Sequence, residues 1–366
     1  MRHIDDYLND YNNISFSEMP FNEVDALILA QFTYMKLEGY VPYLKAEAAN
    51  ITLTELNEVV DRDVIFMDKR HVDDNRKMWD LMLAGKRFAN MGLNYIWEMM
   101  DEERETQFCA FTVFPEGASP VILFRGTDES IIGWVEDFNM AFSTPFVGQR
   151  LGLLYLKHVA QWIDGTFMMS GHSKGGNIAV FSAMMADKDI QDRVEIIYNF
   201  DGPGFRPEII DQDGYYEIRN RVVKYMPQSS VIGMLLENQE EYTVVKSSSV
   251  GGMLQHNPFT WVLEDKSFSI LPGKREKHRT INDSFNKWIL GLSEEQQKSF
   301  VGTVEKLADA TKETTLTEFV DNWNKSIPNL IRSIMDFDKE TKSDIKELFV
   351  TFGNVLAEEI RADNGK

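Results

Sequence analysis

The pentapeptide Gly171-His172-Ser173-Lys174-Gly175 has the pattern G-x-S-x-G, and it narrows what the chain can fold into more than any other stretch. A serine in this pattern is useful on a sharp strand-to-helix turn that lifts its hydroxyl above the edge of a sheet. The flanks suit such a turn. The apolar run 166–169 leads in, and Gly175-Gly176-Asn177-Ile178-Ala179-Val180 leads out as the start of a small-residue helix. The turn strains the backbone at the serine, so side chains two residues before and two after would collide, and both positions are glycine. Gly176 adds room for the helix to pass close to the sheet.

A serine hydroxyl is a weak nucleophile and needs a base. On this kind of turn the partners follow in the order serine, acid, histidine. Of six histidines only His256 and His278 follow Ser173. His256 lies in Met253-Leu254-Gln255-His256-Asn257-Pro258, a loop by its Gly251, Gly252 and Pro258, just past the strand candidate 242–246. That is where a base should be carried. His278 belongs to the solvated basic cluster Lys274-Arg275-Glu276-Lys277-His278-Arg279, and His172, inside the turn, shapes the site rather than titrating in it. Ser173 is the expected nucleophile and His256 the expected general base. The oxyanion calls for two preorganised N–H donors. The amide of Lys174 is one candidate. The amide of Thr127, at the end of Phe124-Arg125-Gly126-Thr127, is the other.

Around these residues the texture alternates. Residues 1–100 read as mostly helical, with helix-like spacing over 22–37 and again over 74–97, where Trp79, Leu81, Met82, Phe88 and Met91 recur. The runs 106–114 and 121–124, split by a Pro/Gly turn, read as a hairpin or adjacent strands. Beyond them 149–163 and 175–185 read as helices, and 194–200, 222–225 and 242–246 as strands, a succession that predicts crossover units and a largely parallel sheet. Past residue 290 the chain becomes charged and helical. The expectation is an α/β-hydrolase fold, with a mostly parallel central sheet flanked by helices. It places the hydrolase domain at 1–290, including the N-terminal helices, with its core at about 105–270. A helical C-terminal appendage is expected at 291–366.

Composition excludes other classes. The 366 residues are 43% hydrophobic, ample for a core, and carry 38 basic against 58 acidic side chains, a formal charge of −20. Such a surface repels phosphate backbones, so nucleic acid is not an expected partner. No signal peptide and no apolar run long enough for a membrane span is read, and the single cysteine, Cys109, cannot form an internal disulfide. The expected compartment is the cytoplasm. Cys109 sits in an apolar run and reads as a small hydrophobe rather than a nucleophile. No phosphate-binding loop and no metal-ligand spacing is found, so neither metal nor cofactor is expected.

Three ordered motifs carry a resemblance. Phe124-Arg125-Gly126-Thr127, then Gly133-Trp134-Val135-Glu136-Asp137, then Ser170-Gly171-His172-Ser173-Lys174-Gly175-Gly176 resemble the class 3 lipases over roughly residues 105–262. Over nearly the whole chain, Pro20-Phe21-Asn22-Glu23-Val24-Asp25, the stretch after Pro227 and Gln255-His256-Asn257-Pro258-Phe259 resemble a group of bacterial α/β-hydrolase-like proteins, DUF2974. The resemblance implies the fold and an acyl or lipid-like ester as substrate. It also exposes a departure. Class 3 lipases carry their aspartate after the next-to-last strand, and the matching position here is Ser230. A hydroxyl can orient an imidazole but cannot stabilise imidazolium as a carboxylate does. Asp201, one strand earlier in Phe200-Asp201-Gly202, is the favoured acid, while Ser230 as an orienter and Glu237 as another acid stay open. Asp137 precedes the serine and is not assigned to catalysis. The expected activity is hydrolysis of a carboxylic ester through an acyl-enzyme on Ser173. The alternative is a non-catalytic binding or regulatory module on a hydrolase scaffold.

Overall fold

Eight strands form one sheet in which the order across the sheet is the order along the chain. The computed structural model describes residues 1–45, 48–67, 71–101, 106–127, 145–228, 230, 232–236, 241–249, 252–272, 291 and 293. The expected appendage at 291–366, apart from residues 291 and 293, lies outside them, as do Glu237, His278, Trp134 and Asp137. The strands are β1 (Ile51–Thr52), β2 (Gly92–Asp101), β3 (Thr106–Phe114), β4 (Val121–Phe124), β5 (Phe167–His172), β6 (Val194–Phe200), β7 (Val222–Pro227) and β8 (Tyr242–Val245). Pairings from β1 to β4 are antiparallel and those from β4 to β8 are parallel.

This order explains the layers. Each parallel step moves one strand over in the same direction. Because β-α-β crossovers are right-handed in nearly all cases, repeated steps in one direction put their helices on one face. That leaves the other face bare, and the N-terminal segment covers it. Its helices are α1 (Ile4–Tyr11), α2 (Glu23–Phe32), α3 (Leu53–Val59), α4 (Arg62–Ile65) and α5 (Val72–Leu83), and the crossover face begins with α6 (Val147–Val159) and α7 (Lys174–Met184). Successive strand residues point to opposite faces. Cys109, Phe111, Leu123 and Met168 therefore join the N-terminal core, and Ala110, Ile122, Phe124 and Met169 the core under α6 and α7.

Helix α2 lies against the middle of the sheet, and every residue from 24 to 32 is buried. Asn22 starts it, accepting from the amides of Val24 (2.9 Å) and Asp25 (3.2 Å), while the Asp25 carboxylate accepts from the Asn22 amide at 3.0 Å. The helix stops at Phe32 rather than running to residue 37, because the Thr33 hydroxyl bonds back to the Ala30 carbonyl and the chain turns. The far side of this layer is tied by an ion pair with no exposed side-chain surface. Arg87 Nε donates to Asp25 Oδ1 at 2.8 Å, and its Nη1 donates to the carbonyls of Ile14 and Met19, each at 3.0 Å.

The helix expected over 74–97 is corrected. It ends at Leu83, and 92–101 is a long strand paired with β3. Asn12 meets the helix end: its side-chain amide donates to the carbonyls of Leu81 and Met82, and its own carbonyl accepts from the Arg87 amide at 2.9 Å. Gly85 leaves room for it, since a Cβ there would lie 2.4 Å from the Asn12 carbonyl oxygen. Phe88 and Met91 continued the helical spacing, yet they are buried turn residues. At the other end of the sheet, segment 261–271 covers the β8 edge. The amide of Lys246 donates to Ser269 O and that of Leu271 to Val244 O, at 2.8 and 2.9 Å. Among the described residues no helix is long and apolar enough to cross a membrane.

Candidate active site

Strand β5 ends at His172 and helix α7 begins at Lys174, so Ser173 alone makes the turn. Its backbone sits at φ 58° and ψ −133°, a conformation that costs a non-glycine residue of order 1–3 kcal/mol and persists only when its surroundings impose it. They do so here. The Ser173 amide donates to Phe200 O at 2.9 Å, and the Ser173 carbonyl accepts from the Gly176 amide at 2.9 Å. A Cβ on Gly171 would lie 2.2 Å from the Gly175 carbonyl carbon, and one on Gly175 would lie 2.1 Å from Phe124 O. Both obstacles are backbone, which cannot step aside.

Strand β6 runs beside β5 and delivers Asp201 next to the turn. Asp201 takes φ 52°, in the left-handed region that aspartate tolerates better than most residues. Its amide donates to Tyr225 O at 2.8 Å and its side chain is fully buried. Asp201 Oδ2 lies 2.6 Å from His256 Nδ1, and Oδ1 accepts from the Ser230 hydroxyl at 2.5 Å. Ser230 is itself held by the Gly233 amide, which donates to its Oγ at 2.9 Å. Each carboxylate oxygen thus has a donor, which lets the charge sit in the interior. A carboxylate oxygen only accepts, so the contact of Asp201 Oδ2 with His256 calls for the ring proton on Nδ1, and a ring carrying one proton then keeps an acceptor lone pair on Nε2. Ser230, at the position where the resemblance puts an aspartate, is hydrogen-bonded to Asp201.

Other groups close around the turn. A Cβ on Gly126 would meet Tyr34 Oη at 2.2 Å, His172 O at 2.5 Å and Ser173 Cβ at 3.2 Å, so the strand end bearing Thr127 passes directly over the serine. Thr127 is buried. The Lys174 side chain is also buried and its ammonium donates to Gln107 O at 3.1 Å. Arg125 pairs with Glu98 beneath the same strand end. His172 Nδ1 lies 2.8 Å from Tyr34 Oη, its Nε2 lies 2.8 Å from His256 O, and its ring stands 4.4 Å from that of His256 at 34°. Tyr34 was not foreseen. It lies near the end of the helix-like spacing over 22–37, and no local signal in the sequence sets it apart. Only the stop at Phe32 swings it toward β5.

Cys109 lies in β3 on the N-terminal face, and burial pushes its thiol up to about 12. The thiolate is the reactive form. Ellman's reagent at pH 8 should therefore leave the native protein unmodified and titrate one thiol after denaturation. Rapid stoichiometric reaction of the folded protein would contradict this burial.

The sheet order, the covering layers and the strand-to-helix turn define the α/β-hydrolase fold that the resemblance implied. The family model described as Mbeg1-like matches residues 82–305, and the chain belongs to the Mbeg1-like family. No curated protein matches it. Among solved structures the chain is similar to M37 lipase, at 14% identity over 58% of this chain and 70% of that one, with a TM-score of 0.37. It is also similar to a Rhizomucor miehei lipase in complex with its propeptide, at 15% identity over 60% of this chain and 79% of that one, with a TM-score of 0.34.

Proposed function

We propose that the chain is a serine hydrolase that cleaves a carboxylic ester, acyl or lipid-like, through an acyl-enzyme on Ser173. The observation that carries this reading is the buried Asp201 carboxylate 2.6 Å from His256 Nδ1, beside a serine held in a strained turn. Ser173 Oγ attacks the ester carbonyl while His256 Nε2 takes its proton. Asp201 stabilises the imidazolium, and the amides of Lys174 and Thr127 receive the oxyanion. His256 then returns the proton to the leaving alkoxide and an alcohol departs. Water repeats the sequence on the acyl-enzyme, releasing a carboxylic acid and restoring Ser173. The rival reading, a non-catalytic module, rests on Ser230 standing where a carboxylate is expected and on the additions at both ends of the chain; the Asp201 carboxylate beside His256 favours the enzymatic reading.

The test is covalent labelling. A fluorophosphonate probe should label the purified chain, and Ser173→Ala should abolish labelling together with turnover of short p-nitrophenyl esters. A wild type that stays unlabelled, or a mutant that labels as well as the wild type, refutes the proposal.

A further inference from the structure

We propose that His172, held by Tyr34, is a positioning residue that fixes the loop carrying His256. This deepens the reading of Ser173 and His256 given above and rests on it. A carbonyl oxygen only accepts, so the contact of His172 Nε2 with His256 O at 2.8 Å puts a proton on that nitrogen. In a neutral ring the other nitrogen then offers a lone pair, and the Tyr34 hydroxyl, 2.8 Å away, donates to it. The ring is buried and cannot rotate without breaking both bonds. It also lies against the His256 ring, 4.4 Å between centroids.

His256 is therefore held twice, by its side chain through Asp201 and by its main chain through His172. The loop has little regular structure of its own. Before His256 stands one helical turn, Gly252–Gln255, and after it the short turn Pro258–Thr260. His172 is also the residue that leads directly into Ser173. One imidazole thus sets the base relative to the nucleophile, in place of two loops that drift separately. Tyr34 comes from the layer on the opposite face of the sheet, and the Cβ that glycine lacks at 126 would fall on its hydroxyl. Through Tyr34 the N-terminal layer thereby reaches the strand end that carries Thr127 directly and the base loop by way of His172.

The experiment uses the full chain and three variants. His172→Phe keeps a ring but loses both hydrogen bonds. His172→Gln puts an amide N–H near the place of Nε2, and Tyr34→Phe removes only the hydroxyl. Turnover of p-nitrophenyl butyrate is normalised to fluorophosphonate-labelled serine, so that misfolded protein does not count. His172→Phe should lower kcat roughly 10- to 100-fold with KM nearly unchanged, the scale of loss when a reacting group is misplaced by about an ångström. Tyr34→Phe should lower it several-fold, and His172→Gln should recover most of the loss. Amide hydrogen exchange, which needs no activity, should quicken across residues 252–258 in His172→Phe and Tyr34→Phe and stay unchanged in β5 and β6. Wild-type exchange across 252–258 in both variants, or wild-type kcat per labelled serine, overturns the proposal. An unlabelled wild type whose loop nevertheless loosens in the variants would sink the assignment of Ser173 and keep the clamp.

Discussion

Asp201→Asn should lower kcat about 10,000-fold while leaving the fold intact, the scale at which a triad fails when its histidine adopts the wrong tautomer. The substitution is nearly isosteric, and asparagine shares the tolerance of aspartate for the positive φ of 52° found here. What changes is the direction of one hydrogen bond. The Ser230 hydroxyl donates to Asp201 Oδ1 while its oxygen accepts from the Gly233 amide, and keeping both contacts puts the oxygen of the new amide on that side. The amide NH2 is then left facing His256 Nδ1, where Oδ2 stood at 2.6 Å. A donor there demands a lone pair on Nδ1, moves the ring proton to Nε2, and leaves no acceptor for the serine proton. Steady-state kinetics on p-nitrophenyl esters, with circular dichroism to confirm folding, checks it. A loss under tenfold would remove Asp201 from the mechanism.

Arg87→Met should destabilise the protein by about 3–5 kcal/mol, the usual result of stripping one partner from a buried ion pair. Asp25 would keep the Tyr7 hydroxyl at 2.9 Å and the Asn22 amide at 3.0 Å, but no positive charge. The carbonyls of Ile14, Met19 and Pro20 would lose their donor as well. The same guanidinium stacks 4.1 Å from the Phe16 ring, so packing is lost along with charge. Urea unfolding monitored by tryptophan fluorescence reads the change. The double variant with Asp25→Asn should be less destabilised than the sum of the two single changes, because the orphaned charge is gone. A change below about 1 kcal/mol in Arg87→Met would mean that the N-terminal layer is held by its apolar contacts alone.

Much of the site can be read along the chain because its chemistry is local. The turn at Ser173 needs glycine at 171 and 175 wherever a strand meets a helix this sharply, and that requirement is written in five consecutive residues. The parallel strands could be placed for a similar reason: short apolar runs bounded by turns recur between helical stretches, and 194–200 matches β6 residue for residue. The N-terminal third was harder. Phe88 and Met91 satisfied a helical period by accident. What meets the end of α5 is Asn12, whose side-chain amide takes the carbonyls of Leu81 and Met82 from far along the chain, and no window of neighbouring residues contains it.

By itself the sequence determined the family, the kind of turn that carries Ser173, and a short set of acids and histidines from which partners could be drawn. Tertiary structure brings Asp201 to His256 and Ser230 to Asp201. Asp201 meets His256 only because β6 pairs beside β5 and ends level with it, and Ser230 serves Asp201 because β7 lies one strand further on. Tyr34 reaches His172 from 138 positions away, across the opposite face of the sheet. Hydrogen bonds and ion pairs act over a few ångströms. Which groups come that close depends on strand order and layer packing, and those depend on the whole chain rather than on any segment of it.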